Sequence, residues 1–185
     1  MKLRLSNNIY YFLFFILGFL FFIDDINKGY TILSTDLYNI IPIAIKFDNP
    51  DFFRNDLFLN NSESLKYYSP LFIKIIQFGE ILTGDYLKGI KFIHFILNIF
   101  YSITWFQLFK TIVRPSILAF VFTILCRGIL WAPGKELWGI AGVWTFIPRT
   151  VFLSFVPVMI LILTKKNIKY NFLIVSGISG ILVNI

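Results

Sequence analysis

The sequence predicts an all-α, multi-pass membrane protein with about five transmembrane helices and a long outer loop carrying interfacial helices. Its 185 residues are 57% apolar, 19% aromatic and only 15% charged, with a mean hydropathy of +0.76. A globular domain of this length needs more polar surface, so most of the apolar excess must face lipid. The composition excludes a disordered tail, and the single Cys126 excludes a scaffold of internal disulfides.

The first predicted crossing is the apolar run at residues 9–23, which follows Lys2 and Arg4 and stops at Asp24-Asp25. A basic start before an apolar run also begins a cleaved signal peptide. Because no small-x-small cleavage site follows, we favour an uncleaved signal anchor. The amino terminus then stays in the cytoplasm, and the acidic pair emerges outside.

Four further apolar runs predict the remaining crossings, at residues 92–109, 116–131, 150–164 and 170–185. The short loops on the predicted cytoplasmic side contain only basic charges, namely Lys110, Arg114, Lys165, Lys166 and Lys169. This distribution satisfies the positive-inside rule at every turn. The sequence thus predicts one integral membrane domain over residues 1–185. The last apolar run continues to Ile185 without a basic or aromatic flank. This predicts that the sequence is the front part of a longer protein.

A long extracytoplasmic loop, residues 24–91, contains nine of the ten acidic residues. A loop of this length is expected to fold on the membrane, since unstructured connectors rarely exceed about 15 residues. Ser34-Thr35-Asp36 is an N-cap signal before apolar residues at helical spacing over 37–45, where Pro42 is expected to bend or end the helix. A second helix is predicted over residues 70–82. Both are typical of helices that lie in the interface.

The stretches at 36–42 (DLYNIIP) and 48–56 (DNPDFFRND) resemble the amino-terminal part of the GT-C class of membrane glycosyltransferases, as found in bacterial multi-pass proteins of that layout. The resemblance implies transfer of a sugar from a polyprenyl-phosphate donor at the outer face of a bacterial inner (plasma) membrane. It implies that a catalytic carboxylate lies early in the outer loop. Asp36 matches that position best, with Asp24 and Asp25 as the rival pair and Asp56 as a further candidate.

Each carboxylate also has a purely structural interpretation. Asp36 is followed by Leu37, where better-studied members carry a second acid, and it could simply cap its helix. Asp24 and Asp25 could mark the exit from the membrane, while Asp56 could pair with Arg54 across a turn. A member of the fold without catalysis, acting as a transporter fragment or a scaffold, is therefore the alternative function.

Basic residues near the outer face are candidates for binding the lipid phosphate. Arg127 is the sharpest case, because an ionisable residue within a span usually faces a cavity or a partner. Snorkelling to the interface is its alternative. Lys135 and Arg149 flank the predicted outer loop at 131–146, where they could instead act as interfacial anchors beside tryptophans.

Metal and nucleic-acid partners find little support in the sequence. One histidine, His94, and one cysteine cannot form a nitrogen-and-sulfur metal site. A divalent cation held by carboxylates follows from the resemblance only, and no residue is assigned as a metal ligand. No basic cluster with exposed aromatic residues points to nucleic acid. The lipid bilayer and a polyprenyl-phosphate sugar are the expected partners.

Overall fold

The computed structural model describes residues 6–27, 35–61, 69–128, 146–165 and 169–185. These ranges contain seven helices and no strand, which confirms the all-α class. The helices are α1 (Asn7–Asn27), α2 (Thr35–Asp48), α3 (Pro70–Thr83), α4 (Tyr86–Ile112), α5 (Ser116–Gly128), α6 (Pro148–Thr164) and α7 (Asn171–Leu182).

Helix α4 is the centre of the fold. Helices α1, α3, α5 and α6 all pack against it, while α2 packs on α3 and α7 packs on α6. Helix α1 runs antiparallel to α4, since the ring of Tyr10 lies 5.2 Å from that of Phe106 and the ring of Phe22 lies 5.1 Å from that of Phe95. The end of α1 and the start of α4 therefore lie at the same end of the bundle.

The next two helices alternate in direction along α4. The hydroxyl of Tyr101 donates to the carbonyl of Cys126 at 3.4 Å, and the rings of Phe109 and Phe122 lie 5.8 Å apart, so α5 is antiparallel to α4. Helix α6 is parallel to α4, because its first turn lies near residue 94 of α4 and its middle near residue 104. Helices α1, α4, α5 and α6 thus alternate in direction, as successive membrane crossings would.

Two glycines allow α3 and α4 to touch backbone to backbone. A Cβ built on Gly89 of α4 would lie 2.3 Å from the carbonyl carbon of Gly79 in α3. Real Cβ atoms do not approach other atoms this closely, so only glycine fits at residue 89. By contrast, a Cβ at Gly177 or Gly180 of α7 meets no described atom within 4 Å.

A buried cluster holds α2, α3 and the first half of α4 together. It includes residues of each of these helices and continues into the start of α6. Its buried members are Leu37, Ile40, Ile43, Ala44, Leu59, Phe72, Ile73, Ile76, Ile90, Leu97, Phe146 and Val151. The two helices predicted in the outer loop are thus confirmed, at Thr35–Asp48 and Pro70–Thr83.

Several predicted boundaries differ from the structure, three of them in ways that the sequence explains. Helix α1 continues through Asp24 and Asp25 to Asn27, and α2 continues past Pro42 to Asp48. Helix α4 begins at Tyr86, six residues before the predicted crossing, because Asp85 accepts a hydrogen bond from the amide of Lys88 and caps the helix there. Lysines interrupt the apolar run in the sequence, but they do not interrupt the helix.

Within the described ranges, two helices are long and apolar enough to cross a membrane, at Asn7–Asp24 and Tyr86–Ile112. A signal sequence or a buried helix of a soluble protein can meet the same criterion. Helices α5, α6 and α7 are apolar but have only 13, 17 and 12 residues. A full crossing takes about 20 residues, so length and composition support two of the five predicted crossings.

Candidate functional site

The predicted catalytic carboxylates lie at helix ends or in a loop. Asp24 is exposed in the last turns of α1. The backbone of Asp25 lies in the same helix, and Asp36 is the second residue of α2, but the side chains of both lie outside the described atoms. Asp56 lies in the segment after α2, where its Oδ1 accepts hydrogen bonds of 2.9 Å from the amides of Phe58 and Leu59.

Asp56 consequently has a structural role in its loop. The expected partner of Asp56, Arg54, bonds instead to Asp51, with 2.5 Å between Nη2 and Oδ1. Both side chains of this pair are largely exposed, so the pair contributes little to stability.

The three predicted phosphate-binding residues are described to different extents. Arg149 is the second residue of α6, with an exposed side chain. Arg127 lies in the last turn of α5, and its side chain is outside the described atoms. Lys135 lies outside the described residues.

A row of buried polar side chains runs along one side of α4. We call Lys91, His94, Asn98 and Ser102 the polar face of α4. Their spacing of three, four and four residues places them on one side of a helix. Lys91 is 6% exposed and His94 is 2% exposed, although α4 is long and apolar enough to span a membrane. Ionisable side chains at such positions are costly and usually functional.

Hydrogen bonds hold much of this face in place. Asn98 donates to the carbonyl of His94 at 2.9 Å, and Ser102 donates to the carbonyl of Asn98 at 2.8 Å. Two residues after Ser102, the hydroxyl of Thr104 donates to the carbonyl of Ser154 in α6 at 3.1 Å. These bonds satisfy polar groups that would otherwise be buried without partners.

Lys91 differs from the other members of the polar face. Its ammonium donates to the carbonyl oxygen of Ile26 at 3.4 Å, a long hydrogen bond. Ile26 lies in the last turn of α1, where free carbonyls give a helix its partial negative charge. The end of α1 that contains Asp24 and Asp25 is therefore next to Lys91.

The start of α6 lies at the same part of α4. The ring of Phe146, two residues before α6, lies 6.2 Å from the ring of His94 and 5.0 Å from that of Phe72 in α3. Leu37, the neighbour of Asp36, is buried in the same cluster as Phe146. The structure thus brings two segments that contain predicted site residues, the end of α1 and the start of α6, to the first half of α4. Helix α2, which begins next to Asp36, packs on α3.

A second polar cluster joins α2, α3 and α4 at the first turn of α4. The amide nitrogen of Gln77 donates to Oδ1 of Asp48 at 2.5 Å, and the hydroxyl of Tyr86 donates to the other oxygen of that carboxylate. Gln77 is only 7% exposed, and its Oε1 has no hydrogen-bond partner among the described residues. Asp48 is thereby oriented by two neutral donors from two different helices.

Sequence reasoning did not select the polar face of α4. The predicted crossing began at residue 92, which left Lys91 outside the helix, and His94 was considered only as a metal ligand. The signal that identifies the face is the helical spacing of residues 91, 94, 98 and 102 within an apolar stretch.

Comparison of the chain with protein-family models, with curated protein sequences and with solved structures finds no match. The described part of the chain contains no group of three histidine, cysteine or acidic side chains arranged to hold a metal ion. What the site offers chemically is a buried lysine and histidine, suited to binding an anionic group, near the segments that contain the acidic candidates.

Proposed function

We propose that this chain belongs to a multi-pass membrane protein of GT-C layout, which transfers a sugar from a polyprenyl-phosphate donor at the outer face of the membrane. The observation that carries the proposal is the burial of Lys91 and His94 where the end of α1 and the start of α6 meet α4. Two basic side chains at this place suit a departing lipid phosphate, which gains negative charge as the glycosidic bond breaks.

In this proposal a carboxylate takes the proton of the acceptor hydroxyl. Asp36 is our choice, because it lies in the first turn of α2, where the helix dipole favours an ionised carboxylate. Asp24 and Asp25 remain the rival pair beside Lys91. Asp56 is the weakest of the four candidates, since its carboxylate already accepts two backbone amides.

The distribution of side chains supports the membrane placement. The polar face of α4 is buried, while large apolar residues of α1, such as Phe12, Phe15 and Leu20, are exposed. Apolar solvent around the helices accounts for this arrangement better than water does. We propose that α1 and α4 cross a bacterial inner membrane with the amino terminus in the cytoplasm, and that the shorter α5, α6 and α7 belong to further crossings. At 17 residues α6 is about 26 Å long, close to the thickness of the hydrocarbon core.

The test of the proposal is a transfer assay with purified protein in lipid vesicles. Polyprenyl-phosphate sugars with a radiolabelled sugar are added, and the released polyprenyl phosphate and labelled product are separated by thin-layer chromatography. We expect Asp36→Asn to lower transfer about a hundredfold while its expression and helicity stay unchanged. Loss of transfer in Asp24→Asn instead of Asp36→Asn would move the role to the rival pair.

A binding measurement tests the part of the proposal that concerns Lys91. We expect Lys91→Met to weaken binding of polyprenyl phosphate about tenfold, as measured by quenching of intrinsic fluorescence in detergent micelles. Lys88→Met is the matched control, because Lys88 is exposed one turn earlier on the same helix. Equal binding by wild type and both variants would contradict a phosphate site at Lys91.

A transporter is the second candidate function, and the length of the polar face of α4 favours it. From Lys91 to Ser102 this face extends about 16 Å along the helix, which is typical of a polar path through a membrane protein. In a transporter, substitution of Arg127 or His94 should reduce solute flux into vesicles, and Asp36→Asn should leave the flux unchanged. A scaffold without catalysis should respond to none of these substitutions.

A further inference from the structure

The segment at residues 49–61, which we call the aromatic loop, presents large apolar side chains on the surface. Phe52, Phe53 and Leu57 are all exposed, and Leu57 is 91% exposed, more than any other large apolar residue in the described part of the chain. Isolated exposed apolar residues are ordinary, but several on one short loop indicate a surface with a partner.

The aromatic loop is held in shape by the ammonium of Lys46, near the end of α2. This group donates three hydrogen bonds, to the carbonyls of Pro50 at 2.6 Å and Phe52 at 3.0 Å and to Oδ1 of Asn60 at 2.9 Å. Lys46 thus uses all three of its donors inside the protein.

Asn60 and Asp56 bind further backbone groups of the loop. The side-chain amide nitrogen of Asn60 donates to the carbonyls of Phe53, Arg54 and Asp56, at 2.7, 2.9 and 2.7 Å. The carboxylate of Asp56 accepts from two backbone amides, and further turns are closed by backbone hydrogen bonds. The apolar side chains therefore stand on a loop whose shape is fixed from within.

The position of the loop is set at both ends. Asp48, the residue before it, bonds to Gln77 of α3 and to Tyr86, the first residue of α4. Near its other end Leu59 is buried in the cluster formed by α2 and α3. The aromatic loop thus lies near the amino-terminal end of α4, where a crossing by α4 would meet the membrane interface.

We propose that the aromatic loop inserts Phe52, Phe53 and Leu57 into the outer interfacial layer of the lipid bilayer. The boundary between headgroups and acyl chains accepts apolar side chains, and its water and headgroups can bind the backbone groups of the loop that have no hydrogen-bond partner among the described residues, such as the N–H and C=O of Leu57. The loop is anchored through Asp48 beside Tyr86, the first residue of a helix long and apolar enough to cross a membrane, and this position favours lipid over a protein partner. The exposed Asp51–Arg54 pair is suited to the headgroup level.

This inference rests on the proposed membrane placement and not on the proposed reaction. The experiment uses a Cys126→Ser background, in which Leu57→Cys carries an environment-sensitive fluorophore in phosphatidylcholine vesicles. Asn55→Cys labels a polar, exposed position two residues earlier and is the matched control. Phe12→Cys, in the first half of α1, reports on the membrane placement itself. Far-UV circular dichroism confirms that each labelled protein is folded.

We expect the label at residue 57 to emit further to the blue than the label at residue 55, to resist aqueous iodide, and to be quenched by lipids with a doxyl group near the headgroup. Emission typical of water with full access to iodide overturns the inference. Shielding from iodide without quenching by doxyl lipid also overturns it, because a second copy or another protein then covers the loop. If the label at residue 12 is quenched by lipid and that at residue 57 is not, the membrane placement stands and the insertion fails; if neither is quenched, both fail.

Discussion

Replacement of Gly89 by alanine should separate α3 from α4. The new Cβ would lie 2.3 Å from the carbonyl carbon of Gly79 and 2.5 Å from its oxygen, both rigid backbone atoms. Comfortable contact between carbon atoms begins near 3.5 Å, so the two helices must move apart by about 1.2 Å at this point. A gap of that size removes a large part of the dispersion contacts nearby, which include those of Ile76 and Ile90.

The expected loss of stability combines two opposing effects. Overpacking of this kind costs about 1–3 kcal/mol, and sometimes more, in the free energy of unfolding. Alanine in place of glycine in a helix returns up to about 1 kcal/mol. Because the new Cβ at residue 89 meets rigid backbone atoms, its cost lies at the upper end of this range, and we expect Gly89→Ala to lower the free energy of unfolding by about 2 kcal/mol. Gly79→Ala should lower it by less, because the first atom its Cβ meets, at 2.9 Å, is the flexible end of Ile93.

The measurement is reversible unfolding in dodecylmaltoside micelles by added sodium dodecyl sulfate, followed by far-UV circular dichroism. Gly177→Ala is the matched control, because it makes the same chemical change in a helix where the new Cβ meets no described atom within 4 Å. The control should be neutral or slightly stabilised. A Gly89→Ala protein within about 0.5 kcal/mol of wild type would refute the close contact of the two helices.

Three further substitutions test other contacts. Asn60→Ala removes three hydrogen bonds to carbonyls of the aromatic loop, so cleavage of residues 49–61 by added protease should accelerate about tenfold. Unchanged cleavage would contradict a role of these hydrogen bonds in holding the loop in shape. Thr104→Val removes a hydrogen bond to α6 and should lower the free energy of unfolding by about 0.6–1.5 kcal/mol in the same assay. Thr111→Val loses only a hydrogen bond within α4 and should lower it by less. Equal losses would argue against the hydrogen bond between the helices. Asp51→Asn should change stability by less than about 0.5 kcal/mol, and a larger loss would mean that the exposed pair with Arg54 matters more than its exposure indicates.

Most helices could be predicted from the sequence because the signals that start and stabilise them are local. The helix at Thr35–Asp48 follows from the cap signal and the apolar spacing after it, and the helix at Pro70–Thr83 follows from proline in its first turn. Pro42 did not end α2, because a proline in a helix costs about 3 kcal/mol, an amount that the buried Leu37, Ile40 and Ala44 can offset together.

Contacts between helices could not be predicted in the same way. Gly177 and Gly180 have the spacing of a close-packing face, yet the close contact occurs between Gly79 and Gly89. These two glycines lie on successive helices joined by a tight turn at Gly84, which is in the left-handed region with φ of 71°. Spacing within one helix indicates which residues share a side, but it does not indicate which neighbour that side will meet. The polar face of α4 shows the same limit, since the spacing of its residues places them on one side of the helix but does not indicate that α1 and α6 cover that side.

The position of Arg127 along the bundle distinguishes its two interpretations, a cavity or partner within the membrane and snorkelling to the interface. The preceding residue, Cys126, accepts a hydrogen bond from Tyr101 of α4. Tyr101 lies about 22 Å along the helix from Tyr86 and about 16 Å from Ile112, so the backbone at Arg127 is near the middle of α4. If α4 crosses the membrane as proposed, the nearer interface is further away than one arginine side chain can reach. Snorkelling then loses its basis, and a polar cavity or a charged partner becomes the favoured environment of Arg127.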